Sequence, residues 1–346
     1  MRAVHYTHFG ELPTIEELPM PVVEPAGAVI RVEATGLCRS DWHGWSGHDP
    51  DIRLPHVPGH EYAGVVHAVG EDVSRVSVGD SVTVPFVCGC GGCEPCLNGD
   101  SQICDRQVQP GFTHWGSFAE FVAVPNADLN VIILPDSMAF TTAAALGCRF
   151  STSYRAVVAQ ARTRPGEWLV VHGCGGVGLS ATMIAASLGA RVIAVDVSPG
   201  ALALAREFGA QHIIDPTATD VVAAVHELTG GGAHVSIDCL GTTTTCLNSL
   251  YSLRKRGRHV QVGLMLAEHA TPPIPMDIVV ARELEIRGSH GMAAHTFAEM
   301  LDRIAVGALR PDRLIAGTIT LDEAPAALAA MDSPRGPGVT VILPHS

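Results

Sequence analysis

Four closely spaced cysteines stand in the segment CGGCEPCLNGDSQIC: Cys90, Cys93, Cys96 and Cys104. A loop that turns this tightly, with Gly and Pro between the cysteines, can place four thiolates at the corners of a tetrahedron about 2.3 Å from one Zn²⁺. The alternatives are a disulfide cluster or separately buried thiols, and the spacing favours zinc. Because four protein ligands leave no open position, we predict a structural zinc site in a lobe over about residues 88–105.

A second group of potential metal ligands is spread over the first half of the chain. Cys38 opens the segment CRSDWH, His60 and Glu61 stand in PGHEY, and Cys148 lies in LGCRFSTSY. A catalytic zinc has three protein ligands and one open position, so we expect Cys38, His60 and Cys148 to bind a second ion. The alternatives are an ordinary buried thiol at Cys148 and, for Glu61, a partnership with a cation instead of metal contact.

A glycine-rich turn follows an apolar run in the second half of the chain. Gly173, Gly175 and Gly178 meet the spacing G-x-G-x-x-G, with Gly176 and Val177 between them. The first glycine permits a tight turn, the second lets the backbone approach a pyrophosphate, and the third lets a helix pack on the preceding strand. The free N–H groups at the start of that helix attract phosphate. The turn therefore predicts a dinucleotide site.

An acidic residue at the end of the next predicted strand indicates which dinucleotide binds. Asp196 lies 18 residues beyond Gly178, where it can accept hydrogen bonds from a ribose 2′-hydroxyl. It would repel a 2′-phosphate, and residues 197–200 offer no Arg or Lys to attract one. We therefore predict NAD rather than NADP. The alternative role for Asp196 is to cap the following helix.

The elements that must position these residues change in character near residue 151. Before it, alternating apolar runs broken by Gly and Pro predict strands in AVIRVEATG, EYAGVVHAVG, DSVTVPF and FAEFVAVP. After it, apolar runs such as EWLVVHG, RVIAVDVS and HVSIDCLG alternate with helical stretches, which predicts a parallel sheet with helices on both faces. The tail carries amphipathic stretches at 297–305 and 322–330 and a strand in GVTVILP. We expect the tail to pack on the first domain.

Composition narrows the possible function classes. The 346 residues are enough for about two domains. A net charge of −13 argues against nucleic acid or an anionic membrane surface as a partner. No apolar stretch approaches the roughly 18 residues of a membrane span. Ten cysteines without a secretory signal predict a reducing, cytoplasmic compartment.

Together these motifs resemble those of the zinc-dependent alcohol dehydrogenases of the medium-chain dehydrogenase/reductase superfamily. CRSDWH, GHE, the cysteine lobe, GSFAEF, GCRFSTSY, the glycine turn and the strand-ending Asp occur in the family's order over nearly the whole chain. The resemblance implies an α/β protein with a mostly-β GroES-like catalytic domain of residues 1–150, completed by residues 289–346. It implies an inserted, doubly wound Rossmann domain of residues 151–288, and a homodimer or homotetramer.

The resemblance also implies roles for individual residues. Cys38, His60 and Cys148 match the catalytic zinc ligands of the family, and this set of two cysteines and one histidine is known from alcohol dehydrogenases. Glu61 matches an acid that can replace water on the metal, and Asp41 matches an acid that orients the ligand histidine. Arg39 matches a contact to the cofactor pyrophosphate, Ser40 and His43 match a proton relay, and Thr152 matches a contact to the nicotinamide. The alternatives are an ordinary surface ion pair at Arg39 and a solvated surface histidine at His43.

The implied reaction is the oxidation of a primary or secondary alcohol to an aldehyde or ketone, and the reverse, with hydride transfer to NAD. Zinc would acidify the bound alcohol, and its proton would leave through Ser40, the cofactor ribose and His43. Two other interpretations stay open. One is a non-catalytic nucleotide-binding sensor or structural protein on the same fold, and the other is a zinc-free quinone or enone reductase.

Arg149 departs from the family pattern, which usually has a small residue after the third ligand. Its side chain is expected to narrow the cleft, contact the cofactor or point to solvent. Trp42, Phe86 and Trp115 are candidates for an apolar pocket wall, since binding sites favour aromatic linings, and the alternative for each is a place in the hydrophobic core. They favour a medium, bulky or aromatic alcohol as substrate.

Overall fold

Two large β-sheets organise the computed structural model, which describes residues 1–332 and 336–346. Strands near both ends of the chain form the first sheet, and the intervening part of the chain forms the second. A helical segment that neither sheet contains connects them over residues 140–160.

The first region has short strands separated by long loops, as its Gly- and Pro-rich sequence predicts. Its strands are β1 (Arg2–His5), β2 (Thr14–Glu17), β3 (Ala28–Leu37), β4 (Tyr62–Val69), β5 (Ser81–Thr83), β6 (Phe121–Val124) and β7 (Ile132–Ile133). Its helices are α1 (Arg39–Trp45), α2 (Glu94–Leu97), α3 (Ala127–Asn130), α4 (Phe140–Ala144) and α5 (Ser151–Arg155). The four runs predicted as strands are β3 to β6.

The second region alternates strand and helix, also as predicted. Its strands are β8 (Trp168–His172), β9 (Arg191–Val195), β10 (Ala210–Ile214), β11 (Ala233–Asp238), β12 (Leu253–Gln261) and β13 (Glu285–Gly288). Its helices are α6 (Gly176–Ser187), α7 (Pro199–Glu207), α8 (Val221–Thr229), α9 (Thr243–Tyr251) and α10 (Met276–Arg282). Within the described ranges, no helix has the length and apolar character needed to cross a membrane.

All strand pairs of this second sheet are parallel, in the order β10-β9-β8-β11-β12-β13. The order reverses between β8 and β11, and ligands of doubly wound sheets bind outside the carboxyl ends of the strands at such a reversal. Leu169, Val170 and Val171 of β8 are completely buried, because helices cover both faces of the sheet. The predicted Rossmann fold is confirmed.

The C-terminal part of the chain returns to the first sheet. It comprises α11 (Phe297–Ala305), β14 (Ile315–Thr320), α12 (Ala324–Ala329) and β15 (Val339–Leu343). β15 runs antiparallel to the end of β3, with Thr340 opposite Leu37, and β14 pairs in parallel with β15. In the described chain the first sheet thus follows the order β14-β15-β3-β4-β5-β7, with β6 also paired to β3.

The helical segment at 140–160 was not predicted from the sequence. It is α4 and α5 with π-helical turns over Leu146–Phe150 and Ala156–Gln160. Such widened turns are rare and often mark functional sites. The first of them contains Cys148 and Arg149, and the predicted domain boundary at residue 150 falls within this continuous segment.

Candidate active site

The lobe between β5 and β6 gathers the four cysteines predicted to bind the structural ion. Their sulfur atoms lie within 4.8 Å of one another, and all four thiols are free of disulfide bonds. The N–H of Cys90 points to the sulfur of Cys104 at 3.3 Å, and the guanidinium of Arg106 donates to the sulfur of Cys90 at 3.3 Å. The N–H of Gly92 lowers the pKa of Cys90 to about 6. Donors directed at sulfur stabilise thiolates, so the lobe fits a structural Cys₄ zinc site.

The second predicted group converges from three separate elements. Cys38 follows β3, His60 and Glu61 precede β4, and Cys148 lies in the first π-helical turn. The donor atoms of these four residues lie within 4.8 Å of one another. Within the described residues, the buried Nε2 of His60 has no hydrogen-bond partner. A buried ring nitrogen without a hydrogen-bond partner, next to two cysteine sulfurs, is suited to bind zinc. The group is a catalytic-type zinc site.

The two ligand sulfurs, of Cys38 and Cys148, lie close together in this group. Their contact lowers the pKa of Cys38 well below its usual range and raises the pKa of Cys148. Since thiolates are the zinc ligands, zinc binding at this pair would release protons.

Asp41 is the buried acceptor behind the ligand histidine. Its Oδ1 accepts hydrogen bonds from His60 Nδ1 at 2.7 Å and from the N–H of Gly59 at 3.2 Å. Its Oδ2 accepts from the N–H of Cys38 at 2.9 Å. With Nδ1 held as the donor, Nε2 of His60 faces the two sulfurs as the metal-binding atom. The orienting role of Asp41 stays a prediction, and this hydrogen bond supplies the contact that it needs.

Arg149 points inward instead of toward solvent. Its Nε donates to Glu61 Oε1 at 2.9 Å, its Nη2 donates to Glu61 Oε2, and its Nη2 also reaches the carbonyl of Leu37 at 3.0 Å. Burial raises the pKa of Glu61, and the charge of Arg149 opposes that rise. Of the two roles considered for Glu61, pairing with a cation is therefore observed, while its carboxylate also lies within the metal-binding group.

The glycine turn between β8 and α6 has the shape that a pyrophosphate needs. Gly173 has φ of +91°, which favours glycine. A Cβ on Gly178 would lie 1.8 Å from the carbonyl oxygen of Gly173, so only glycine lets α6 approach the turn. A Cβ on Gly175 would meet no described atom within 4 Å. The turn is thus closed on the protein side and open where a phosphate would approach.

Asp196 lies at the carboxyl end of β9, beside this turn. Its Oδ2 accepts from the N–H of Cys174 at 2.6 Å and its Oδ1 accepts from the N–H of Ser198 at 2.8 Å. The N-cap of α7 is Ser198, whose side chain accepts from Ala201. Asp196 is therefore not the cap of α7. Its carboxylate instead stabilises the glycine turn through the hydrogen bond from Cys174.

The first turns of α1 carry the residues of the predicted proton relay. Ser40 and His43 are half-buried on this short helix. Nδ1 of His43 lies 3.0 Å from Nδ1 of His48, which is exposed. Burial lowers the pKa of His43, so its ring is neutral at pH 7 and able to accept a proton. His48, which the sequence analysis did not single out, connects His43 to solvent.

Arg39 and Thr152 were predicted as cofactor contacts. The guanidinium of Arg39 donates to the carbonyl of Met331 and, at 3.1 Å, to Asp332, and it stacks 4.0 Å from the ring centre of Trp42. Its hydrogen bonds therefore go to the C-terminal tail. Thr152 is buried on α5, and its hydroxyl has no hydrogen-bond partner in the described part of the chain.

Aromatic side chains surround the ligand histidine. The ring centres of Phe112 and Phe86 lie 4.9 and 6.2 Å from that of His60, and His290 packs against Phe86 at 5.1 Å. Phe86 was a predicted wall residue, whereas no sequence pattern indicated Phe112 or His290. Trp115 instead lines a separate cavity of about 410 Å³, together with Met1 and Met20 among others.

Comparisons with known proteins agree with this geometry. Residues 24–136 match the family described as alcohol dehydrogenase GroES-like domain, and residues 176–306 match the family described as zinc-binding dehydrogenase. An alcohol dehydrogenase of Geobacillus stearothermophilus is 33% identical, covering 93% of each chain. An NAD-dependent alcohol dehydrogenase of Sulfurisphaera tokodaii is 32% identical, covering 99% of this chain and 100% of the relative.

A solved structure gives the same answer for the whole chain. The alcohol dehydrogenase TADH from Thermus sp. ATN1 superposes with a TM-score of 0.92 at 31% identity, covering 99% of each chain. The match includes both sheets and the segment between them. The chain belongs to the zinc-binding alcohol dehydrogenases of the medium-chain dehydrogenase/reductase superfamily, with a GroES-like domain and a Rossmann domain.

Proposed function

We propose that this chain oxidises a primary or secondary alcohol to an aldehyde or ketone, and catalyses the reverse reaction, with NAD as the hydride carrier. The observation that carries the proposal is the position of the metal group directly beside the glycine turn. Ser153 Oγ lies 2.7 Å from the carbonyl of Arg149 and 2.8 Å from the carbonyl of Val177. This hydroxyl therefore links the π-helical turn that contains Cys148 to the first turn of α6.

The chain's own residues supply binding, orientation and proton transfer. Zinc held by Cys38, His60 and Cys148 would supply Lewis acidity, which lowers the pKa of an alcohol and polarises a carbonyl. Asp41 fixes the ring of His60, and the rings of Phe86 and Phe112 exclude water from its surroundings.

A proton released by the alcohol needs a route to solvent. Ser40 Oγ would receive it, and the neutral ring of His43 would accept it on its way to solvent. The contact of His43 Nδ1 with His48 Nδ1 at 3.0 Å then provides the exit. General acid–base help of this kind is worth about 10²–10⁴-fold in rate.

NAD is the proposed dinucleotide, bound by Gly173, Gly175, Gly176, Val177 and Gly178 and by the Asp196 carboxylate. Asp196 would repel a 2′-phosphate, and the relative from Sulfurisphaera tokodaii is described as NAD-dependent. The ratio of kcat/KM for NAD⁺ to that for NADP⁺ tests this preference. A higher value for NADP⁺ would contradict it.

We also propose domain bounds, a cellular location and an assembly for this chain. We place the catalytic domain at residues 1–150 and 289–346, the Rossmann domain at 151–288, and the protein in the cytoplasm. We also propose a homodimer or homotetramer, because β13 pairs with β12 alone in the described chain and its Ile286 is 42% exposed at the sheet edge. Light scattering coupled to size-exclusion chromatography tests the assembly.

The two other interpretations have less support. A nucleotide-binding sensor does not need a relay such as Ser40 with His43, and a zinc-free reductase does not need a gathered group of Cys38, His60 and Cys148. The aromatic surroundings of His60 favour an apolar substrate, such as a medium, bulky or aromatic alcohol.

The decisive experiment combines zinc counting with an alcohol panel. Wild-type protein should hold two zinc ions per chain and reduce NAD⁺ with at least one alcohol of the panel. Cys38→Ser should keep its fold and the lobe zinc, hold one zinc ion, and lose turnover. Undiminished turnover in Cys38→Ser, or no turnover of any alcohol, aldehyde or ketone by fully loaded wild type, would refute the proposal.

A further inference from the structure

Arg149 is a buried cation directly next to a proposed zinc ligand, and the proposed reaction does not by itself require it. Arg149 is only 5% exposed and lies in the π-helical turn over Leu146–Phe150. Removing a charge from water is costly unless partners are arranged around it. The arrangement of those partners indicates what the side chain does.

The nitrogen atoms of the guanidinium have unequal roles. Nε and Nη2 both donate hydrogen bonds to the Glu61 carboxylate, and Nη2 also donates to the carbonyl of Leu37. The backbone N–H of Arg149 donates to Glu61 Oε1 at 2.8 Å. Nη1 makes no hydrogen bond to any residue that the structure describes. An arginine has five N–H donors, so the two on Nη1 are left for a ligand.

Nη1 lies over the start of α6, where the cofactor phosphates are expected. A Cβ on Gly176 would lie 2.8 Å from Cδ of Arg149 and 3.3 Å from Nη1. Gly176 is the first residue of α6, a 12-residue helix whose first turn has no acidic side chain and no side-chain cap. Its N–H groups attract anions, and a guanidinium is well suited to phosphate oxygens.

The Glu61 end of the ion pair also packs closely against a glycine. A Cβ on Gly36 would lie 2.8 Å from Glu61 Oε2 and 3.5 Å from Arg149 Nη2. Gly36 and Gly176 therefore both lack a side chain where this pair lies. The close fit fixes the guanidinium between the metal group and the glycine turn.

We propose that Arg149 binds the cofactor pyrophosphate through Nη1, while Nε and Nη2 hold Glu61 in place beside the metal ligands. This inference rests on the proposed function, because it assigns a further contact to the same dinucleotide. One guanidinium then touches both the cofactor and the carboxylate next to the metal. Arg39, by contrast, directs its donors to the C-terminal tail.

ADP-ribose and adenosine are the probes that test this contact, since only the first carries a pyrophosphate. Arg149→Gln alone would leave the buried Glu61 charge without a partner and endanger folding. Glu61→Gln alone would likewise leave the buried Arg149 charge without its partner, so the informative comparison is between wild type, which keeps the guanidinium, and Glu61→Gln with Arg149→Gln, which removes both charges. Calorimetric titration of zinc-loaded protein gives the dissociation constants.

We expect the double variant to bind ADP-ribose about 10- to 100-fold more weakly than wild type, in line with the loss of a hydrogen bond to a charged group. Adenosine should bind wild type and the double variant equally. Equal ADP-ribose affinity in these two proteins would overturn the inference.

Gly176→Ala provides an independent measurement. Its Cβ would displace Arg149, so ADP-ribose affinity should fall in the wild-type background and change much less in the double variant. Equal, additive losses in both backgrounds would show that Gly176 and Arg149 act separately, against the inference. Failure of the proposed function is a different result: no turnover of any alcohol by wild type, whatever the ADP-ribose affinities.

Discussion

Replacing Asp41 with asparagine separates the contribution of one carboxylate from that of the zinc ligands it supports. Both oxygens of Asp41 accept hydrogen bonds, from His60 Nδ1 and Gly59 on one side and from the N–H of Cys38 on the other. Asparagine has the same shape but only one acceptor oxygen. In either orientation of the amide, its NH₂ group therefore faces an N–H donor.

The size of the effect follows from those contacts. Loss of the partner that orients a ligand histidine typically weakens metal binding about 10- to 100-fold, which corresponds to about 1.4–2.7 kcal/mol. A buried N–H left unpaired costs a further ~1–3 kcal/mol of folding free energy. For Asp41→Asn we expect a 10- to 100-fold lower affinity at the Cys38–His60–Cys148 site, a lower melting temperature, and unchanged zinc in the lobe.

Competition between the protein and a zinc-binding indicator, run at constant pH, measures the two affinities. Asp128→Asn is the matched control, because Asp128 also accepts N–H groups, from Ser74 and Arg75 at 2.8–3.2 Å, but is only partly buried on α3 and is not part of either cysteine group. It should leave both zinc affinities unchanged. Wild-type affinity at both sites in Asp41→Asn would refute the view that this carboxylate orients His60.

Other changes test the glycine turn, the lobe and the buried histidines. Gly178→Ala should lower the melting temperature and abolish NADH binding, because its Cβ would overlap the turn, whereas Gly175→Ala should weaken NADH binding at an unchanged melting temperature. Cys90→Ser should release the lobe zinc and destabilise the protein, which metal analysis and thermal melting measure together. Burial lowers the pKa of His56 from 6.5 to about 4, so its contribution to stability is complete above pH 6.5 and is lost as pH falls toward 4. The loss is on the order of 3 kcal/mol, and urea unfolding at pH 7 and pH 4.5 measures it.

A Gly178→Ala protein that melts like wild type would contradict the close packing of α6 on its turn. Cys90→Ser with two tightly held zinc ions would rule out the lobe as a metal site. His56→Gln removes the titrating ring, so it should reduce the stability difference between the two pH values, and an unchanged difference would assign it to other groups.

Local sequence patterns were sufficient for the two features with short spacing. The cysteines of the lobe are separated by at most seven residues, and the glycine turn occupies six consecutive positions between β8 and the body of α6. In both cases the geometry is determined by a single loop. The strands β3 to β6 and the alternating second sheet were predictable for the same reason, since each follows from its own periodicity.

Apart from the group of Cys38, His60 and Cys148, which ligand type and family resemblance brought together, contacts between distant parts of the chain were beyond such patterns. Glu61 and Arg149 are 88 positions apart, and only the folded backbone shows that their side chains meet. The π-helical turn that aims Arg149 inward has no recognised sequence signal, and residues 140–160 were not predicted as helix. The exposed His48 and the buried Phe112 join the site through tertiary packing rather than through spacing in the sequence.

The pairing of β15 with β3 has a consequence for the order in which this enzyme matures. Leu37, the last residue of β3, lies opposite Thr340, although 303 positions separate them. During synthesis, the nucleotide-binding unit can therefore fold while its flanking catalytic unit still awaits its final strand on the ribosome. The strand segment just before Cys38 gains its neighbour only after β15 has emerged, although every metal ligand has been synthesised by residue 148.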